Sequence, residues 1–260
     1  MTGIDHEAVD IRALARRTAA ALRSRAPLVH CLTATASMHL VANGLLAVGS
    51  RPMMTETVEE APMMTGQADA LLVNLGALSA DGARGIPATV TASRASGHPW
   101  VLDPVAVGIA PVRTALAHRL LDQGPAVVRA NASEIRALNG SRGGCGTDTT
   151  ARPEEAEAEA MALAQRTGGI VAVSGEADLI TDGRRTIRLH CGSPLLTRVT
   201  GTGCLLGALM ASGLGAGLSP WESAVGATAL LGLAGQDAAS RSTAMGSFQV
   251  ALLDCLDEAG

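Results

Sequence analysis

Apolar residues alternate along this chain between two rhythms. Short unbroken runs are separated by longer stretches in which apolar positions recur every third or fourth residue, the signatures of buried strands and amphipathic helices. The runs "PLVHCLT" (27–33), "PMMTE" (52–56), "ALLVNLG" (70–76), "WVLDPVA" (100–106), "AVVRAN" (126–131) and "GIVAVSG" (169–175) predict strands. Residues 7–25, 37–49, 57–67, 79–96, 111–123 and 132–139 predict helices. The Gly- and Thr-rich segment 140–153 predicts a loop, and Pro153 opens the next helix with acidic residues near its positive end. Strand candidates at 178–182 and 185–190 follow, and "LLTRVT" (195–200) approaches three closing helical segments.

Strands that are apolar on both faces and alternate with helices predict a mostly parallel sheet covered on both sides, here as one α/β domain over residues 1–260. The hairpin within 178–200 adds antiparallel strands late in that sheet. In such sheets ligands bind beyond the carboxyl ends of the strands. Those ends carry Thr33, Asn74, Asp103, Arg129 with Asn131, Ser174 and the run Gly201–Cys204.

Composition narrows the chemistry. The 260 residues are 47% hydrophobic, enough for a sizeable core, and the net charge of −4 offers no basic footprint for nucleic acid. Tyr is absent and Phe248 is the one Phe, so base-stacking platforms are missing. Lys is absent too, since every one of the 20 basic residues is Arg. That excludes a P-loop lysine and any Schiff base, and leaves backbone N–H groups, Arg and a metal to handle phosphate. Five cysteines without a CxxC pair suit a reducing cytoplasm better than a disulfide framework or a zinc site. The opening residues do not read as a signal peptide. The chargeless run 203–220 is broken by glycines and Pro220, which predicts a buried helix and no membrane span.

The strongest single motif is Gly201-Thr202-Gly203-Cys204 at a predicted strand-to-helix junction. Glycines there turn N–H groups inward as an anion cradle, and Cys204 in the first helical turn would have its thiol pKa lowered by the helix dipole. A plainer reading is tight packing beside a small core thiol. Asp103, after three apolar residues, either caps a turn or binds a metal. Glu134 stands three residues after Asn131, as a capping box requires, and is alternatively a water-mediated Mg2+ ligand with Asp103. Arg129 is the candidate for nucleotide phosphates. "GRR" (183–185) reads as a solvated hairpin turn, His30 and His39 as core histidines, and Met53, Met54, Met63 and Met64 as core packing or an apolar pocket lining.

Together "ANGLLAVGSRPMM", "NLGALS", "VLDPVAVG", "RANASEI", "VSGEADLI", "LLTRVTGTGCLLGA" and "GSFQVALLD" resemble, in order and spacing over about residues 20–256, the hydroxyethylthiazole kinase family of the ribokinase-like superfamily. The resemblance implies a three-layer ribokinase-like sandwich and transfer of the ATP γ-phosphate to the alcohol of 4-methyl-5-(2-hydroxyethyl)thiazole in thiamine salvage. It also implies Mg2+ and a homotrimer with sites between subunits. By position it implies that Met54 and Gly201 meet the thiazole and Arg129 and Ser174 the ATP. Asp103 and Glu134 would serve the metal, and Cys204 would stand where related kinases carry an aspartate base. Two departures fall on the alcohol side: Ala34 replaces an expected Asn, and Ala106-Val107 replaces the expected Gly-Ala. They keep open a kinase of another small alcohol, such as a hydroxymethylpyrimidine or a pyridoxal-like vitamer. A ribokinase-like lyase is disfavoured by Cys204, and an idle binding protein by the retained Asp103, Glu134, Arg129 and Gly201–Gly203.

Overall fold

The computed structural model describes residues 10–140 and 156–259. Cys145, the expected loop beyond Gly140 and the helix start expected at Pro153 lie outside them. The first half runs α1 (Ile11–Arg25), β1 (Leu28–Leu32), α2 (Thr35–Ala47), β2 (Arg51–Met53), α3 (Ala61–Thr65), β3 (Ala70–Asn74), α4 (Ala80–Ala95), β4 (Trp100–Asp103) and α5 (Pro111–Leu121). The second runs β5 (Val127–Asn131), α6 (Ala132–Leu138), α7 (Glu157–Thr167), β6 (Ile170–Ser174), β7 (Asp178–Thr181), β8 (Thr186–Leu189), α8 (Thr202–Gly215), α9 (Pro220–Ser240) and α10 (Met245–Glu258).

One eight-stranded sheet has the order β2-β1-β3-β4-β5-β6-β7-β8. Every pairing from β2 to β6 is parallel, and β7 and β8 add on antiparallel. The strand alternation of side chains splits the core into two layers. Ala70 and Leu72 of β3 join a cluster with residues of α1, α2, α8, α9 and α10, whereas Leu71 and Val73 join one with α4, α5, α6 and α7. The result is the expected three-layer α/β architecture.

Three local expectations shift. The helix expected over 57–67 shrinks to Ala61–Thr65, because Pro62 fits only the first turn of a helix and Thr57–Glu60 forms a turn instead. The second strand covers 51–53 instead of 52–56, as a short sheet edge containing Pro52. The approach at 195–200 coils into a 3-10 helix, Pro194–Arg198. "GRR" is indeed the β7–β8 turn, where Asp182 accepts from the N–H groups of Arg184 and Arg185, both at 2.9 Å.

The position of α8 explains its lack of charge. It lies on β1, β3 and β4 and is flanked by α2 and α9, so Leu205 to Leu214 are buried without exception. Among the described residues no helix is long and apolar enough to cross a membrane. Inside this layer Ser212 of α8 meets Ser50, just ahead of β2, with hydroxyl oxygens 2.6 Å apart and both residues buried. Removing one hydroxyl strands the other without a partner, whereas removing both strands neither. Ser212→Ala should therefore lose about 1–3 kcal/mol in urea unfolding, and adding Ser50→Ala should recover part of that loss.

Candidate active site

The carboxyl ends of the parallel strands form a rim. Along it, in sheet order, stand Met54 just past β2, Thr33 past β1, Asn74 at the end of β3, Asp103 at the end of β4, Arg129 within β5 and Ser174 at the end of β6. Asn74 is the register partner of Asp103, and Asn131 that of Ser174. The N-terminus of α8 meets this rim at its centre.

Asp103 has no exposed surface. Its Oδ2 accepts from Asn74 Nδ2 at 2.7 Å and from Arg129 Nη1 at 3.4 Å, while Oδ1 has no partner among the described residues. Burial pushes the carboxyl up to about 7; Arg129 pulls the other way, and the charge of Glu134 adds to the rise. Arg129 is itself shared: Nε and Nη2 donate to Ser174 Oγ at 3.2 and 3.0 Å. Burial disfavours its charge, but the carboxylates of Asp103, Glu134 and Asp178 pull the other way and the guanidinium stays protonated. Asp178, pushed up to about 6 by burial, accepts from Gly175 N at 3.0 Å.

The glycine motif is shaped by what lies against it. Gly201 has φ of +97°, and a Cβ there would lie 2.7 Å from Ser37 Cβ. A Cβ on Gly203 would lie 2.7 Å from Arg129 Nη1, so the guanidinium rests directly on the main chain of α8. The first main-chain bond of the helix runs from Leu205 N to Gly201 O (2.8 Å), which leaves the N–H groups of Thr202, Gly203 and Cys204 as its opening turn. Thr202 contributes only its N–H to this cradle, because its hydroxyl donates to Leu196 O at 2.8 Å.

Cys204 sits in the first turn as expected, but its thiol is not acidified there. Burial raises its pKa and the charge of Asp103 raises it further, against lowering contributions from Ser37, Arg129 and Asn74. Burial and the Asp103 charge outweigh the groups that lower it, so the resting group is a neutral thiol. Both readings of Glu134 meet one fact: its Oε2 closes the capping box on Asn131 N (2.9 Å) and its Oε1 accepts from Ala106 N (2.9 Å). It clamps the loop after β4 to the start of α6.

Other candidates divide. His30 is buried with Nε2 2.7 Å from Thr55 O, and burial lowers its pKa, as a core histidine requires. His39, expected in the core, is exposed on the outer side of α2, and Met63 is 69% exposed, so neither belongs to the interior. The cause is α2's stripe: Ser37, Leu40, Val41, Gly44 and Leu45 face inward, which turns residue 39 outward. Met54 is half-buried at the β2 end of the rim. Asn74 stood among the polar strand ends in the sequence, with no role attached. Asp178 carried no local signal there, since only the fold brings it to Arg129.

The donor set suits Mg2+ better than a transition metal. Among the described residues no three His, Cys, Asp or Glu side chains gather at one point, so these residues form no closed cage. Mg2+ keeps most of its waters and needs one or two carboxylates. The unpartnered Oδ1 of Asp103 is free to serve as such a ligand, beside the charge of Glu134.

The sequence model of the hydroxyethylthiazole kinase family matches residues 19–259. A hydroxyethylthiazole kinase of Cronobacter sakazakii is 46% identical over 236 residues, which is 90% of this chain and 89% of that protein. The solved hydroxyethylthiazole kinase structure of Pyrococcus horikoshii superposes with a TM-score of 0.84 at 34% identity, covering 95% of this chain and 92% of that one. A ribokinase-like superfamily protein from Enterococcus faecalis, 17% identical, has a TM-score of 0.61 over 92% of this chain and 89% of its own, and shares the fold.

The loop held by Glu134 contains a strained residue: Ala106 has φ of +65°. A left-handed Ala is disfavoured by about 1–2 kcal/mol, partly offset by the larger unfolded-state entropy that Gly would bring. Ala106→Gly should therefore raise stability by about 0.5–1 kcal/mol, read as a shift of the urea midpoint at unchanged m-value.

Proposed function

We infer function from one premise, that this chain belongs to the hydroxyethylthiazole kinase family. It is a phosphotransferase that moves the terminal phosphoryl group of ATP to the primary alcohol of 4-methyl-5-(2-hydroxyethyl)thiazole. The observation that carries the residue-level reading is the convergence of Asn74, Asp103, Arg129 and Ser174 on the opening turn of α8. The sheet order supports a direction for the site. The thiazole enters on the β2 side, with Met54 and Gly201, and the nucleotide lies on the β5–β6 side, with Arg129 and Ser174.

In the reaction the alcohol oxygen bonds to the γ-phosphorus, the bond from that phosphorus to the bridging oxygen breaks, and ADP leaves with the electron pair. Such transfers pass through loose transition states, so positioning and charge stabilisation matter more than a strong base. The N–H groups of Thr202, Gly203 and Cys204 face the transferring oxygens. Arg129, fixed by Ser174, adds a permanent positive charge. Cys204, neutral at rest, orients the acceptor hydroxyl, whose proton is released to solvent water as the new ester forms. Mg2+, held by Asp103 and Glu134 directly or through water, would neutralise phosphate charge when bound.

The same reading includes a homotrimer with sites between subunits and a cytoplasmic location. The exposed apolar Ile109 and Val112, just after the rim loop of β4, support an interface beside the site.

The first experiment is mass-spectrometric detection of phosphorylated product from ATP, Mg2+ and a panel of thiazole, pyrimidine and pyridoxal alcohols. Phosphothiazole should dominate. A dominant phosphorylated pyrimidine or pyridoxal would move the substrate to another alcohol and make Ala34 and Val107 the residues that moved it. Cys204→Ala should lower kcat about a hundredfold with little change in nucleotide affinity. Unchanged kcat would remove the thiol from the mechanism.

A further inference from the structure

Asn74 is held on the rim by three hydrogen bonds, and no step above uses it. It ends β3, it is buried, and all of its hydrogen-bonding groups are engaged. Oδ1 accepts from Gly76 N at 2.8 Å. Because only the oxygen of an amide can take that N–H, the orientation of the group is decided: the NH2 end faces the site. Its two hydrogens go to different partners, Asp103 Oδ2 at 2.7 Å and Cys204 Sγ at 3.3 Å. The main chain keeps it there, since a Cβ on Gly76 would lie 2.8 Å from Asn74 Oδ1 and 3.3 Å from Ala34 Cβ.

We propose that Asn74 is a positioning residue for phosphoryl transfer, whose single amide nitrogen ties the Cys204 sulfur to the Asp103 carboxylate and so couples the acceptor side of the site to the nucleotide side. The inference rests on the role given to Cys204 above. Two consequences follow from the geometry. By donating to Sγ, the amide occupies a sulfur lone pair and, with the Ser37 hydroxyl beside it, limits the directions from which the sulfur can meet the acceptor hydroxyl. By donating to Oδ2, it shares that oxygen with Arg129 and leaves Oδ1 of Asp103 as the open one. A residue that only packed the strand end would need neither bond.

The test uses the full chain with Asn74→Ala and Asn74→Asp, each alone and combined with Cys204→Ala, in steady-state kinetics with ATP, Mg2+ and the thiazole alcohol, beside thermal melts. Asn74→Ala should lower kcat by about ten- to a hundredfold, with KM for ATP within about twofold, and should cost little more once Cys204 is already Ala. Asn74→Asp keeps the shape but sets a second carboxylate against Asp103, and should lose at least as much; it carries the test if the Ala variant fails to fold. The proposal is overturned if kcat stays within about twofold of the unmodified chain, if the loss appears in KM alone, or if it multiplies in full in the Cys204→Ala background. Should Cys204→Ala alone leave kcat unchanged, the role of the thiol fails on its own control and takes the coupling with it.

Discussion

Asp103 has no exposed surface, its carboxylate lies 3.4 Å from the Arg129 guanidinium, and both groups sit under α8, the guanidinium against Gly203 of the opening turn and the carboxylate near Gly207. Taking two such charges out of water costs several kcal/mol each, and their attraction repays that only where further hydrogen bonds complete the arrangement. The surrounding structure supplies them. Asn74 donates to the carboxylate, Ser174 receives two guanidinium hydrogens, and Glu134 and Asp178 add negative charge around Arg129. The same pair dictates main-chain geometry, because Gly203 must lack a side chain for the guanidinium to rest where it does. A site arranged this way is costly to the folded chain, and phosphate with its metal would be the partners that offset the cost.

Much of this was legible before any coordinates. The alternation of apolar runs and amphipathic stretches predicts a parallel sheet covered on both faces, as observed, and the strand-end rule points to the rim on which Asn74, Asp103, Arg129 and Ser174 meet. Where the expectation slipped, a local rule had been outweighed by a neighbouring one. Pro62 ended a helix that periodicity alone extended back to 57, and residue 39 turned outward because the inward stripe of α2 is set by Leu40, Val41, Gly44 and Leu45. Asp178 was illegible for a different reason. Its relation to Arg129 crosses from β7 to β5, and nothing local encodes that approach.

The thiol shows where position and environment part. Its place in the first helical turn is readable from Gly-Thr-Gly-Cys, and a helix dipole acting alone would lower its pKa. Burial cannot be read from four residues, and burial next to Asp103 reverses the sign. A neutral thiol is a poor base, which would be a difficulty for a reaction that needed early proton removal. Phosphoryl transfer with a loose transition state does not, since nucleophile basicity contributes little there and alignment contributes much. The chemistry of the reaction and the raised thiol therefore agree, provided that something aligns the sulfur.

Alignment across the rim is a matter of rigid spacing, and the sheet provides it. Asn74 and Asp103 are register partners on adjacent parallel strands, so their separation is set by the ladder and not by side-chain choice. Arg129 and Ser174 stand on the next two strands and inherit the same fixed spacing. The helix that carries the N–H cradle is locked to that ladder from above, through the sulfur bond to Asn74 and the guanidinium lying on Gly203. The loop after β4 departs from this regularity, holding Ala106 at a left-handed φ by means of Glu134. That strain sits on the loop that continues from Asp103, so the carboxylate that clamps it also fixes the exit of the strand bearing the central charge.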